Sequence, residues 1–248
     1  MKSIYKQPSI YNGKSIYNGD GIYNDEDDYV ILNGVRYKNT FYKDNAGIYH
    51  SRFSEAVELP AGYEKLNYVR NDVLTSGTSP RITTDATLSH QYGSVYTSMY
   101  QLESVSSYGS TWRTGYINEN TNCTRVIMDS SNVRRILTYS DMRAGSGGQI
   151  IISDNGIFGV EITDEKKYRL LDSSEYLDMS GTTQGDPNPD DNLYFFSQCA
   201  RINLYFMFVA DHDKQVTFTA IPCKHGSDYG IYDLVGNKFY THSALTGA

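Results

Sequence analysis

The first 24 residues carry one hexapeptide four times: Ser3-Ile4-Tyr5, Ser9-Ile10-Tyr11, Ser15-Ile16-Tyr17 and Gly21-Ile22-Tyr23. A step of six residues turns an α-helix by about 240°, so the isoleucines would scatter around a helix. In a strand, successive side chains alternate faces and six is an even step. Ile4, Ile10, Ile16 and Ile22 then line one face, and Tyr5, Tyr11, Tyr17 and Tyr23 line the other, with Tyr29 next in the series. A ribbon with two apolar stripes has no core of its own. It buries them against copies of itself or against another protein, which makes residues 1–28 an extended attachment arm. Three chains around an axis can turn one stripe inward and close without an exposed strand edge, so a homotrimer is the expected assembly.

Composition narrows the character of the chain beyond the arm. The chain has 248 residues, enough to bury a core without disulfides or metals. Its 23 tyrosines against one tryptophan suit a β protein with amphipathic surfaces. The net charge of −7 and pI near 5.2 argue against a nucleic-acid partner, which requires a basic footprint. Cys123, Cys199 and Cys223 are odd in number and lack CxxC spacing, so reduced, buried thiols are expected. The longest apolar run, Leu204 to Ala210, is too short to span a bilayer, and no membrane insertion is expected. The N-terminal residues show no apolar signal region, so the chain is expected to stay in a cytoplasm or to leave it by a route without a signal peptide, as virion proteins do by lysis.

Asp25-Glu26-Asp27-Asp28 repel one another and mark a solvated break after the arm. In 29–58, Asn33-Gly34 sits between Tyr29–Leu32 and Val35–Tyr37 and predicts a hairpin, because both turn residues accept positive φ. Phe41, Tyr42, Ile48, Tyr49 and Phe53 come next without helical period, so 29–58 reads as a β-hairpin connector. From Leu59-Pro60 onward, short β runs alternate with turn clusters, with no long amphipathic helix. The runs include 94–102, 125–128, 167–171, 193–196, 202–210 and 216–221. Hairpins are expected at Asp154-Asn155-Gly156 and Gly236-Asn237, and 216–220 alternates as if one face were wet. The expected fold is all-β: an antiparallel sandwich over 59–248, preceded by the arm.

Two segments carry a resemblance. Leu59-Pro60-x-Gly62-Tyr63-x-x-Leu66-x-Tyr68-Val69 and Pro222-Cys223 with Gly230-x-Tyr232-Asp233-x-Val235-x-x-x-Phe239-Tyr240-Thr241 resemble the opening and closing motifs of concanavalin A-like (laminin-G-like) modules of gut Bacteroidetes and their phages. His242 stands where that pattern has Asn, and Ala220-Ile221 where it has Phe-Val. The arm resembles the N-termini of structural proteins of crAss-like and related gut bacteriophages. Together these imply a concanavalin-like jelly roll in a phage head or tail fibre or decoration subunit. Other virion proteins, further copies of the chain and host surface glycans are the implied partners. The alternative is a bacterial surface carbohydrate-binding protein or glycoside hydrolase.

Chemistry leaves fewer marks. The five histidines lack HxH or HExxH spacing, GxSxG is absent, and Gly145-Ser146-Gly147-Gly148 lacks the Lys-Ser/Thr of a phosphate-binding loop. Asp172, Glu175 and Asp178 do not share a strand face as a glycosidase pair would, so no catalytic residues are assigned and a non-enzyme is expected. The oxygen-rich stretch with Asp186, Asp190 and Asp191 is a candidate calcium loop, against the plainer reading of a solvated turn; no other cofactor is expected. Trp112, flanked by Tyr108 and Tyr116, is a candidate sugar-stacking site, against the plainer reading of a core residue.

Overall fold

The computed structural model describes residues 29–45, 48–71, 82–87, 95–105, 109–114, 124–128, 134–137, 149–152, 157–162, 167–170, 177–178, 192–196, 200–211 and 213–248. In chain order the elements are β1 (Tyr29–Leu32), β2 (Val35–Lys38), β3 (Phe41–Lys43), β4 (Tyr49–Ser51), α1 (Arg52–Ala56), β5 (Tyr63–Lys65), β6 (Val69–Asn71) and β7 (Ile82–Thr87). Then come β8 (Val95–Val105), β9 (Gly109–Thr114), β10 (Thr124–Met128), β11 (Arg134–Leu137), β12 (Gln149–Ile152), β13 (Ile157–Ile162), β14 (Lys167–Leu170) and β15 (Leu177–Asp178). The last are β16 (Asn192–Phe195), β17 (Ala200–Ala210), β18 (Val216–His225), β19 (Asp228–Asp233), β20 (Lys238–Thr241) and β21 (Leu245–Gly247). The all-β reading holds, and every pairing between these strands is antiparallel.

Two sheets form the sandwich. One runs β12-β11-β10-β9-β16-β7; the other runs β15-β14-β13-β8-β17-β18-β19-β20, with β5 added to β18 and β6 between β17 and β21. The fully buried rings of Phe195 on β16 and Phe218 on β18 stack across the gap, centroids 6.1 Å apart. At one seam the Asp85 backbone N–H donates to the Tyr240 hydroxyl at 3.2 Å, and Lys238 pairs with Asp85, tying β7 to β20. The opening and closing motifs lie side by side: Cys223 pairs with Lys65, and Leu245 with Asn71.

The second sheet is covered on its outer face as well. Register places Val209 opposite Phe218 on the inner face and Phe208 opposite Thr219 on the outer one. Onto Phe206, Phe208 and Ile221 pack Val30 and Leu32 from β1 and Phe53 and Val57 from around α1. Phe53 meets Phe208 at 4.7 Å, and Phe41 stacks on Phe206 at 5.8 Å. Within 29–58, expected as a β-hairpin connector, Val30, Leu32, Phe53 and Val57 therefore pack as a cap on the sheet. Thr219, expected on a wet face, is buried beneath it and only Thr217 of that pair is exposed.

Two expected turns differ. Asn33-Gly34 forms its hairpin, with φ of 51° and 79° as a two-residue turn requires. Asp154-Asn155-Gly156, however, does not join a hairpin: β12 belongs to the first sheet and β13 to the second, so the chain crosses between layers there. Two apolar runs around a turn signal look the same in sequence whether they pair or face each other across a core. The β19–β20 connection spans Leu234–Asn237 rather than two residues, and left-handed backbone falls at Asn237, φ 50°.

That connection explains the closing motif. The buried Asp233 accepts hydrogen bonds from the backbone N–H groups of Thr219, Val235 and Gly236, each at 3.0 Å. Burial raises its carboxyl above the usual range, and those same N–H groups oppose the shift. A Cβ on Gly230 would fall 2.1 Å from the Tyr240 carbonyl oxygen, so glycine is required there. Burial pushes the Cys223 thiol up to about 12, the inert state expected of it.

Candidate functional site

The cap leaves an open cavity of about 390 Å³ where it meets the sheet, lined among others by Asp44, His50, Glu55, Asn67, Tyr68 and Tyr205. Its polar wall comes from two short elements. Asp44 N–H reaches the Ile48 carbonyl at 2.8 Å and closes the β3–β4 hairpin, while Asp44 Oδ1 accepts from Ile48 N–H at 2.8 Å. This register sets Tyr42 opposite His50 on one face. The rings stack at 4.9 Å, and the Arg52 guanidinium lies over Tyr42 at 4.3 Å.

Helix α1 begins at the next residue. Five residues are too few to hold a helix alone. Ser51 caps it by accepting from Ser54 N–H at 3.2 Å, and fully buried Phe53 pins it to the sheet. From β5, Lys65 Nζ donates to the carbonyls of Ser54 and Val57, both at 2.7 Å, which satisfies the helix C-terminus. Desolvation at that end lowers the Lys65 ammonium below its ordinary value.

The helix aims Glu55 back at the hairpin. Glu55 Oε1 accepts a hydrogen bond from the Tyr42 hydroxyl and lies 3.6 Å from His50 Nδ1; Glu55 Oε2 lies 3.4 Å from Arg52 Nη1. On the other side of the imidazole, His50 Nε2 is 3.0 Å from Asp44 Oδ2. Each His50 nitrogen thus faces a carboxylate. The hydrogen bond to Glu55 holds the Tyr42 phenol above its ordinary range. The lining also includes the half-buried rings of Tyr68 and Tyr205, centroids 5.6 Å apart. The cleft therefore offers aromatic faces for stacking beside a fixed set of hydroxyl, imidazole and carboxylate groups, the composition of a small-molecule site.

Among the described residues that line this cleft, none is a sequence-predicted site residue. The arm positions Ile4 to Tyr23, the aromatic flanks Tyr108 and Tyr116, and the acidic positions Asp186, Asp190 and Asp191 lie outside the described residues. Trp112 is placed by backbone alone, on β9 opposite Phe195. Among the described residues no group of three or more His, Cys, Asp or Glu is arranged to hold a metal ion, and no helix is long and apolar enough to cross a membrane. One signal could have led to the cleft: Asp44-Asn45-x-Gly47 between β-rich residues is a turn pattern. Its hairpin sets Tyr42 against His50.

No protein-family model and no curated protein matches the chain. Among solved structures it is similar to a β-1,3-glucanase from Mycobacterium marinum, at TM-score 0.35 and 10% identity over 52% of this chain and 66% of that one. It is similar to alginate lyase A1-II′ of polysaccharide lyase family 7, at 0.35 and 12% over 70% and 84%. It is also similar to tailspike protein 2 of Escherichia coli O157:H7 bacteriophage CAB120, at 0.36 and 11% over 71% and 30%. At these values the likenesses carry no argument about activity.

Proposed function

We propose that this chain is a glycan-binding subunit of a bacteriophage particle, fixed by residues 1–28 and reading bacterial surface polysaccharide in the Asp44–His50–Tyr68 cleft. The observation that carries the reading is that two half-buried tyrosines and an ordered carboxylate–imidazole–carboxylate row line one open cavity. Sugars offer C–H faces to rings and hydroxyls to fixed acceptors, and this cleft supplies both. The particle assignment rests on the repeat, which a free lectin does not need, and on the arm's resemblance to phage structural proteins.

Binding rather than cleavage is the proposed chemistry. Glu55 is engaged by Tyr42 and Arg52, and Asp44 by Ile48 and His50, so both carboxylates are held by donors of their own chain. A glycosidase needs one carboxyl to give a proton and another to attack or activate water across a single bond. Biolayer interferometry of the full chain against purified capsular and lipopolysaccharide glycans tests the reading. Tyr68→Ala is expected to weaken binding about two- to tenfold, on the scale of one lost stacking contact. Equal binding by Tyr68→Ala and the distant control Val235→Ala would overturn it. Released reducing ends would overturn the non-catalytic part.

A further inference from the structure

We propose that the cleft takes a hydroxyl-rich sugar unit without acidic groups, and excludes uronic acids and sugars bearing phosphate or sulfate. This rests on the glycan-binding reading of the cleft and adds the class of sugar that the cleft accepts. The fixed charges of the lining carry it. Asp44 and Glu55 place two carboxylates at the cavity, on either side of His50. His50 offers an incoming anion no spare donor, because each ring nitrogen faces one of those carboxylates, at 3.0 and 3.6 Å. Among the described residues, the permanent cation of the lining is Lys65. Its ammonium has three N–H donors, and these go to the carbonyls of Ser54, Glu55 and Val57 at 2.7, 3.3 and 2.7 Å. Glu55 and Glu58 act on the same charge. The neighbouring guanidinium of Arg52 lies over the Tyr42 ring at 4.3 Å, with Nη1 3.4 Å from Glu55 Oε2. Both cations are therefore directed at carbonyls, a carboxylate and a ring of their own chain.

An acidic sugar loses hydration on entering and finds no cation directed toward it. It also stands close to two carboxylates of like sign, since both line a cavity of about 390 Å³. Like charges a few ångströms apart repel most where water is partly displaced. Discrimination of this kind comes from repulsion of the wrong partner and needs no extra contact with the right one. A hydroxyl meets the opposite situation. A carboxylate has about four lone-pair sites, and Glu55 faces three groups, Tyr42, His50 and Arg52. It can accept from a sugar hydroxyl as well, while Tyr68 and Tyr205 offer aromatic surface to the apolar side of the sugar. The net charge of −7 acts in the same direction on a polyanionic capsule.

Neutral bacterial polysaccharides, each presented beside the same polymer with its C6 hydroxyls oxidised to carboxylates, test this in biolayer interferometry of the full-length protein. The neutral form is expected to bind about tenfold or more tighter at low salt. The gap should shrink at about 1 M salt, where charges are screened within about 3 Å. Asp44→Asn removes one lining charge and keeps a side-chain oxygen for Ile48 N–H, and it should narrow the gap to about threefold. Equal or tighter binding of the oxidised polymer, still weakened by Tyr68→Ala, would overturn the selection and leave glycan binding in the cleft in place. So would a gap that neither salt nor Asp44→Asn narrows. Failure of both forms to bind, or binding that Tyr68→Ala leaves unchanged, would instead remove the glycan-binding reading and this inference with it.

Discussion

The closing strands and the cap place their polar side chains in opposite ways. In β18–β20, Asp233 gathers three backbone N–H groups, and Thr219 Oγ1 donates to the Tyr232 carbonyl at 3.2 Å and accepts from Leu234 N–H at 2.7 Å. All of this is directed into the fold. In residues 42–55, by contrast, Tyr42, Asp44, His50, Arg52 and Glu55 bond to one another, and Asp44, His50 and Glu55 line an open cleft. The cap is held to the body by apolar contacts that include Phe53 and by the hydrogen bonds of Lys65 and Ile31. The closing motif is thus mainly structural, and the cap, which has no motif, supplies the polar side chains that line the candidate site together with Tyr68 of the opening motif.

That contrast can be broken by mutation, and the largest effect should come from the apolar anchor. Phe53→Ala empties a fully buried site and should cost about 3–5 kcal/mol in urea or guanidinium unfolding. A loss below about 1 kcal/mol would mean that the cap is not packed as described. Asp233→Ala should cost about 3 kcal/mol, because a buried N–H left without an acceptor carries its own penalty.

Cys223 sharpens the comparison through pH. Its folded value of about 12 lies above the ordinary 9.0, so the folded state holds the proton more tightly than the unfolded chain. The resulting stability is intact below pH 9 and is lost as pH climbs from there toward 12. Unfolding midpoints should fall over that window, less steeply in Cys223→Ala, and the native thiol should resist disulfide reagents at pH 8. Burial raises Tyr232 and Tyr240 in the same sense, so part of the slope should survive the substitution. The smallest stability effects belong to the cleft. His50→Ala and Glu55→Gln should each change unfolding by less than about 1 kcal/mol, as partly exposed ion pairs do, yet abolish most glycan binding. A large loss of stability would make the cluster structural.

Much of the sandwich was legible in sequence because strand burial writes a local pattern. The runs at 202–210 and 216–221 became β17 and β18, and Asn33-Gly34 became the turn its residues demand. The crossing after β12 was not legible, since pairing and facing leave the same apolar residues. Nor was the cap: Val30, Leu32 and Phe53 look like any short β segment until Phe206 and Phe208 are seen beneath them. The cleft escaped for a related reason. His50 has no partner at metal-ligand spacing; its neighbours Asp44 and Glu55 come from a hairpin turn and from a helix whose five residues carry no periodicity.

The central claim is that the cleft, and not the Trp112 strand, receives the glycan. Backbone amide shifts of 15N-labelled full-length protein, titrated with oligosaccharides cut from a bound surface polysaccharide, test it most directly. Perturbations are expected to cluster at residues 42–55, 65–68 and 205. Perturbations confined to β9 around Trp112, with the cleft amides unmoved at saturation, would contradict the claim.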